Sequence, residues 1–216
     1  MQLEPLIEKA KAGTAWDLGN EILYEACRSR PLHTCIEDVI AKIWLIGRAY
    51  AAAIERRRHK TESNEDFYLS RVGPKILESD IDAWIANARE EGSWKALLEA
   101  HYKTTYLLNE ISGLNKRSLA SKYLHFHVPE LFYLYDTRAV SAIRAFRGLT
   151  GRASSADRSY DNEYRKFAEK CSTVRRYVQE RYGAALNPRE LDNLLLNVQE
   201  KHPNESFKPT PQSGAA

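Results

Sequence analysis

Residues 35–58 read CIEDVIAKIWLIGRAYAAAIERRR. Ile36, Val39, Ile40, Ile43, Gly47, Tyr50 and Ile54 recur at i, i+3, i+4 and i+7, the spacing of one helix face and not the alternation of a strand. The stretch predicts one long helix. Its small residues, Gly47, Ala49 and Ala51 to Ala53, leave room for a second helix to approach closely. Arg56, Arg57 and Arg58 suit the negative C-terminal end of the helix dipole and need no further role.

The same period extends in both directions. Residues 3–12 and 14–28 predict two shorter helices. Ser79-Asp80-Ile81-Asp82 opens another, with Ile81, Trp84, Ile85 and Ala88 on one face. Beyond Gly92-Ser93, a stripe of Trp94, Leu97, Leu98, His101, Thr105, Leu108 and Ile111 marks a long helix. His101 in that stripe reads as a core histidine, and at helical spacing Trp44, Trp84 and Trp94 read as core aromatics. Further helices are expected near 115–126, 137–147 and 159–182. In the last of these Cys171 sits on the apolar side and reads as a small core residue. Asn187-Pro188 is a helix start, cap followed by first-turn proline. No alternation longer than Phe132 to Tyr135 exists, and neither an internal repeat nor a heptad array is present. The expected fold is all-α: a single domain over 1–200, made of two helical lobes, followed by a Pro/Ser/Gly-rich tail over 201–216 that reads as disordered.

Composition narrows the function classes. The chain has 216 residues, 28% charged and 43% hydrophobic, enough for one globular domain with a real core. No apolar run reaches the ~18 residues of a membrane span. The start, MQLEPLIEKAKAG, lacks the apolar centre of a signal peptide. Cys27, Cys35 and Cys171 are scattered and odd in number, which argues against a disulfide framework. These features predict a cytoplasmic protein. The net charge of +3 hides an asymmetry: residues 137–182 hold eleven Arg/Lys against five Asp/Glu, a local +6. A basic segment on a near-neutral chain is the electrostatic footprint of a phosphate-backbone partner, although a solvated helix face gives the same pattern.

The stretch 107–143, LLNEISGLNKRSLASKYLHFHVPELFYLYDTRAVSAI, carries the candidate chemistry. One helix ends near Ile111, Gly113 supplies the backbone freedom of a tight turn, and a second helix follows at once. Backbone N–H groups at Gly113 and Asn115, with Lys116 and Arg117, suit a DNA phosphate read without sequence. On the second helix Leu119, Tyr123 and Phe126 form an apolar line, and Asn115, Ser118, Lys122 and His125 form the polar side. Asp136 then caps the next helix, whose first turn holds Arg138, a further candidate to meet the DNA backbone. The connection between can bring Lys122 and Asp136 together at the edge of a cleft. A lysine amine can attack a sugar C1′, and a nearby carboxylate can stabilise the cationic sugar or move the proton. The plain alternative is a solvent-facing lysine and a helix cap. His125 and His127 do not share a helix face and no third ligand is apparent, so no metal site is expected.

Glycine turn, lysine helix, proline–aromatic connection and capping aspartate together resemble the helix–hairpin–helix DNA glycosylases, in particular their short bacterial 8-oxoguanine-glycosylase-like branch. ISGLNKRSLASKYLHFH (111–127) is similar to the hairpin and lysine helix, LYDTRAV (134–140) to the aspartate segment, and ALNPRELDNLLL (185–196) to the closing helix. The resemblance covers about the second half of the chain and implies an enzyme, a DNA glycosylase with possible AP-lyase chemistry, acting on double-stranded DNA without a cofactor. Lys122 is then the Schiff-base nucleophile and Asp136 the catalytic carboxylate. Phe132, Tyr133 and Tyr135 are the aromatics able to stack on a base rotated out of the duplex. The sequence departs from the pattern at Asn115, where the family has a second glycine, and in its shorter lysine-to-aspartate interval. The iron–sulfur cysteine loop of some members is absent. The alternative is a non-catalytic helical DNA-binding or partner-binding protein.

Overall fold

A computed structural model describes residues 1–57, 61–151, 157, 159–202 and 205–207. The fold is all-α, with no strand among the described residues. No helix among them is long and apolar enough to cross a membrane. The chain divides into two compact units: Met1–Gly13 with Asp136–Asp157 and Asn162 onward, and Thr14–Tyr135 with Arg158–Asp161.

The first unit holds α1 (Glu4–Lys11), α9 (Thr137–Ala142), a 3-10 turn (Ile143–Phe146), α10 (Arg147–Thr150), α11 (Asn162–Tyr182) and α12 (Pro188–Lys201). α12 packs against α1 and α9, and α11 against α10 and the 3-10 turn. α12 begins where its sequence says. Asn187 Oδ1 accepts from Glu190 N–H, and the Glu190 carboxylate accepts from Asn187 N–H, a closed capping box ahead of Pro188. α11 buries Tyr164, Phe167, Ala168, Cys171, Val174 and Val178. Beyond α12, Phe207 is buried beside Phe146 and Tyr177, and its N–H donates to Ala145 C=O. Within the predicted tail, 203–204 and 208–216 lie outside the described residues.

The second unit holds α2 (Asp17–Ser29), α3 (Ile36–Ala49), a 3-10 turn (Ile54–Arg57), α4 (Asn64–Phe67), a π turn (Tyr68–Val72), α5 (Gly73–Leu77), α6 (Ile81–Glu91), α7 (Trp94–Ser112) and α8 (Arg117–His127). α8 packs against α2, α3 and α7, and α6 lies along α7.

The helix expected over 35–58 is shorter. α3 stops at Ala49, and Ala51 adopts a left-handed conformation with φ 51°. Ala52 N–H donates to Gly47 C=O (2.8 Å) and Ala51 N–H to Arg48 C=O (3.3 Å), the paired bonds of a Schellman turn. Alanine occupies the position glycine usually holds, so the sequence shows no stop. Gly47 permits the reversal: a Cβ there would lie 3.2 Å from Ala53 Cα. Its close neighbour is the returning chain and not a second helix. After the turn Glu55 is buried, accepting from Arg48 (2.5 Å) and Tyr68 OH (2.7 Å). Arg58 lies outside the described residues.

The tryptophans are also a correction. Trp44 and Trp94 are exposed and Trp84 is half-buried. In α3 and α7 smaller aliphatic residues fill the interior, and the indoles fall at its rim.

Candidate nucleic-acid interface

α7 starts at a serine cap, Ala96 N–H donating to Ser93 Oγ (3.1 Å), and ends at Gly113, whose φ of 69° few other residues adopt. Gly113 N–H closes the helix on Asn109 C=O (2.7 Å). Gly113, Leu114 and Asn115 are exposed. Arg117 N–H donates to Asn115 Oδ1 (3.1 Å), and no side chain caps α8. Asn115 therefore does the work of a turn residue.

The two basic side chains of the turn are held within the unit. Lys116 Nζ donates to Ala53 C=O (3.1 Å). Arg117 Nε donates to Asp161 Oδ2 (2.6 Å), and its guanidinium lies 5.4 Å from the centre of the Tyr135 ring. The Asp161 carboxylate cancels the charge expected to meet a phosphate. What the turn presents to a partner is chiefly backbone and amide.

Lys122 does not sit on a solvated side of α8. It is 0% exposed, and every residue from Leu119 to His127 is buried. Its ammonium donates to Ser118 Oγ (3.0 Å) and Tyr135 C=O (2.8 Å), and lies 5.7 Å from the centre of the Tyr50 ring. Ser121 Oγ accepts from Tyr135 N–H (3.0 Å), so both peptide groups of Tyr135 are bound to α8. Asp136 belongs to the other unit, where its Oδ1 accepts from Ala139 N–H (2.9 Å) as the cap of α9. Arg138 is exposed on α9. Of the expected stacking residues, Phe132 and Tyr133 are buried, which takes them out of reach of a base, and Tyr135 is half-buried.

The rest of the α8 interior is a polar network that periodicity did not disclose. His33 Nδ1–H donates to Asp82 Oδ1 (2.5 Å), and Tyr123 OH donates to His33 Nε2 (2.6 Å). A carboxylate acceptor dictates that tautomer. Tyr24 OH donates to His125 Nε2 (2.6 Å), while His125 Nδ1–H donates to Phe132 C=O (2.9 Å). His127 Nδ1–H donates to Tyr123 C=O (2.8 Å), and its ring stacks on His33. Buried Lys42 donates to Arg30 and Leu32 C=O. Burial, then the neighbouring Lys42, lowers the His33 pKa, while the Asp82 carboxylate opposes the shift. Burial, Lys42 and His33 together hold His127 well below the ordinary range. His101, fully buried, is pushed down to about 3. These partners left no mark in the sequence, because His33, in the connection between α2 and α3, and Asp82, on α6, are 49 residues apart and meet only on folding. One signal was present: Tyr102 and Tyr106 lie off the α7 apolar stripe at i, i+4, and both are exposed.

Comparison with protein-family models, curated proteins and solved structures finds no match to this chain.

Proposed function

We propose that this chain is a helical DNA-binding protein whose chemistry is base excision, with Lys122 as the amine nucleophile. The observation that supports the reading is the position of that amine. It lies on the second helix of a glycine-turned helix pair, withdrawn from water, with the Ser118 hydroxyl and the Tyr135 carbonyl on its Nζ. In the proposed step the neutral amine attacks C1′ of the target nucleotide. The C1′–N bond breaks, its electron pair leaves with the base, and the base takes up a proton. The C1′–O4′ bond then breaks, O4′ takes up the second amine proton, and the opened sugar is left as an imine on Lys122. The family resemblance adds Asp136 as the carboxylate that handles the proton. Reaching C1′ requires the Lys122–Tyr135 bond to open.

Borohydride reduces such an imine to a permanent cross-link. Duplexes carrying uracil, 8-oxoguanine or an abasic site should give a trapped adduct with the native chain and none with Lys122→Met. Absence of an adduct with all three sinks the lyase form of the proposal. The complete burial of Lys122 favours a second reading, DNA binding without catalysis through the exposed Gly113–Asn115 turn. Salt-dependent duplex binding that survives Lys122→Met, with no adduct, selects it.

A further inference from the structure

Beside the hairpin turn, the exposed side of α7 carries a pocket of about 280 Å³, at the small end of small-molecule sites (roughly 300–1,000 Å³). Tyr102 and Tyr106 line it from one helix face, 41% and 59% exposed, joined by Thr105 and Asn109. Asn115, Arg117 and Asp161 complete the wall. We infer that this pocket binds a single nucleobase, stacked on the tyrosines and read at its edge by the amides and the Arg117–Asp161 pair.

Four observations carry this. Two large aromatic rings spaced i, i+4 share one face and are exposed, which makes them a platform on which a flat ring can stack. The Arg117–Asp161 ion pair makes the wall electrically neutral, and the Asp161 carboxylate repels a phosphate, so the occupant is polar but uncharged. Asn115 Oδ1 accepts from Arg117 N–H, and its Nδ2 is the donor it can offer a ligand. Thr105 is 5% exposed, and its hydroxyl has no hydrogen-bond partner among the described residues. Amide, guanidinium and carboxylate groups on one wall match the mixed donors and acceptors of a base edge. Stacking on tyrosine accepts any base, because every base has a π face.

The inference rests on reading the hairpin as a nucleic-acid surface, but it needs neither Lys122 nor base excision. The base can come from a strand or from a free nucleotide, and the test separates the two. Anisotropy of a short labelled oligothymidylate is compared at low salt with an abasic oligomer of equal length, for the native chain, Tyr106→Phe and the Tyr102→Ala/Tyr106→Ala double variant. The native chain should prefer the base-bearing strand by roughly 5- to 150-fold, as one stacked base provides. Tyr106→Phe should keep that preference and the double variant lose it, with helical circular dichroism unchanged. Equal binding of base-bearing and abasic strands overturns the pocket and leaves DNA binding standing. Equal preference in the double variant overturns it as well. If no strand binds, thymidine monophosphate is titrated against ribose 5-phosphate. Tyrosine-dependent preference for the nucleotide upholds the pocket and removes DNA as partner, and no preference overturns the inference.

Discussion

α8 (Arg117–His127) and α11 (Asn162–Tyr182) both mix lysine, arginine and serine with apolar residues, yet the two units place them differently. α11 buries an apolar line with one charged side chain, Arg165, bonded to Glu169 and Asn162, and leaves Glu163, Ser172, Arg176, Gln179, Glu180 and Arg181 exposed. α8 is enclosed by α2, α3 and α7, and nine consecutive residues are buried, Ser121, Lys122, His125 and His127 among them. Polar side chains tolerate such burial only when hydrogen-bonded. In α8 they are: Ser121 and Lys122 hold Tyr135, His125 holds Phe132, and His127 holds Tyr123. The connection 128–135 is thereby fastened to the helix before it, and the position of Lys122 has a structural consequence whatever its chemistry.

Four measurements sharpen or break this contrast. The largest effect is expected from Lys122→Ala, which leaves a cavity and removes the donor from Ser118 Oγ and Tyr135 C=O. Urea denaturation should show a loss of about 3 kcal/mol, with Lys122→Met recovering the packing part. A loss within the scatter of surface variants would place Lys122 outside the core network.

Acid should act next. His101, His127 and His33 are folded as neutral rings with lowered pKa values, so the unfolded chain binds protons first as the pH drops. Their contribution is fully present above the ordinary histidine pKa of about 6.5 and fades below it. For His101 the fading continues towards about 3. Denaturation midpoints should fall from pH 7 to pH 5, and His101→Leu should flatten that slope. α11 has no histidine, so a slope insensitive to His101 and His127 would contradict the enclosed α8 environment.

Tyr123→Phe removes one buried hydroxyl from the Asp82–His33–Tyr123 chain and should cost about 1–2 kcal/mol in the same denaturation assay. The smallest change belongs to α11: Arg176→Ala, on its solvated face, should stay within about 0.5 kcal/mol. A larger loss there would mean that the α11 basic face is engaged by something else.

Helix identity was legible wherever it is a local property. Asn187 caps the helix it was expected to cap, and Ile81, Ile85 and Ala88 of α6 and Cys171 of α11 face inward. The end of α3 was not legible, because Ala51 is a strong helix former placed in a left-handed turn by bonds to Gly47 and Arg48. The π turn at Tyr68–Val72 likewise left no mark in the periodicity. At the candidate site, the Gly113 turn and the Asp136 cap were visible in sequence. The burial of Lys122, and the capture of Lys116 by Ala53 and of Arg117 by Asp161, were not. Those partners are distant in the chain, and charge counted along a sequence cannot show which arginines are already neutralised.

By itself the sequence determined an all-α chain, most of its helix starts and the turn between α7 and α8. Caps, glycine conformation and the 3.6-residue period act over a few neighbouring residues, so they are written where they operate. Tertiary structure alone decided which polar residues became interior and which aromatic residues became surface. That depends on how many helices enclose each face: α8 is surrounded and gives Ser121, Lys122, His125 and His127 each a hydrogen bond inside, while the tyrosine face of α7 is left open to water.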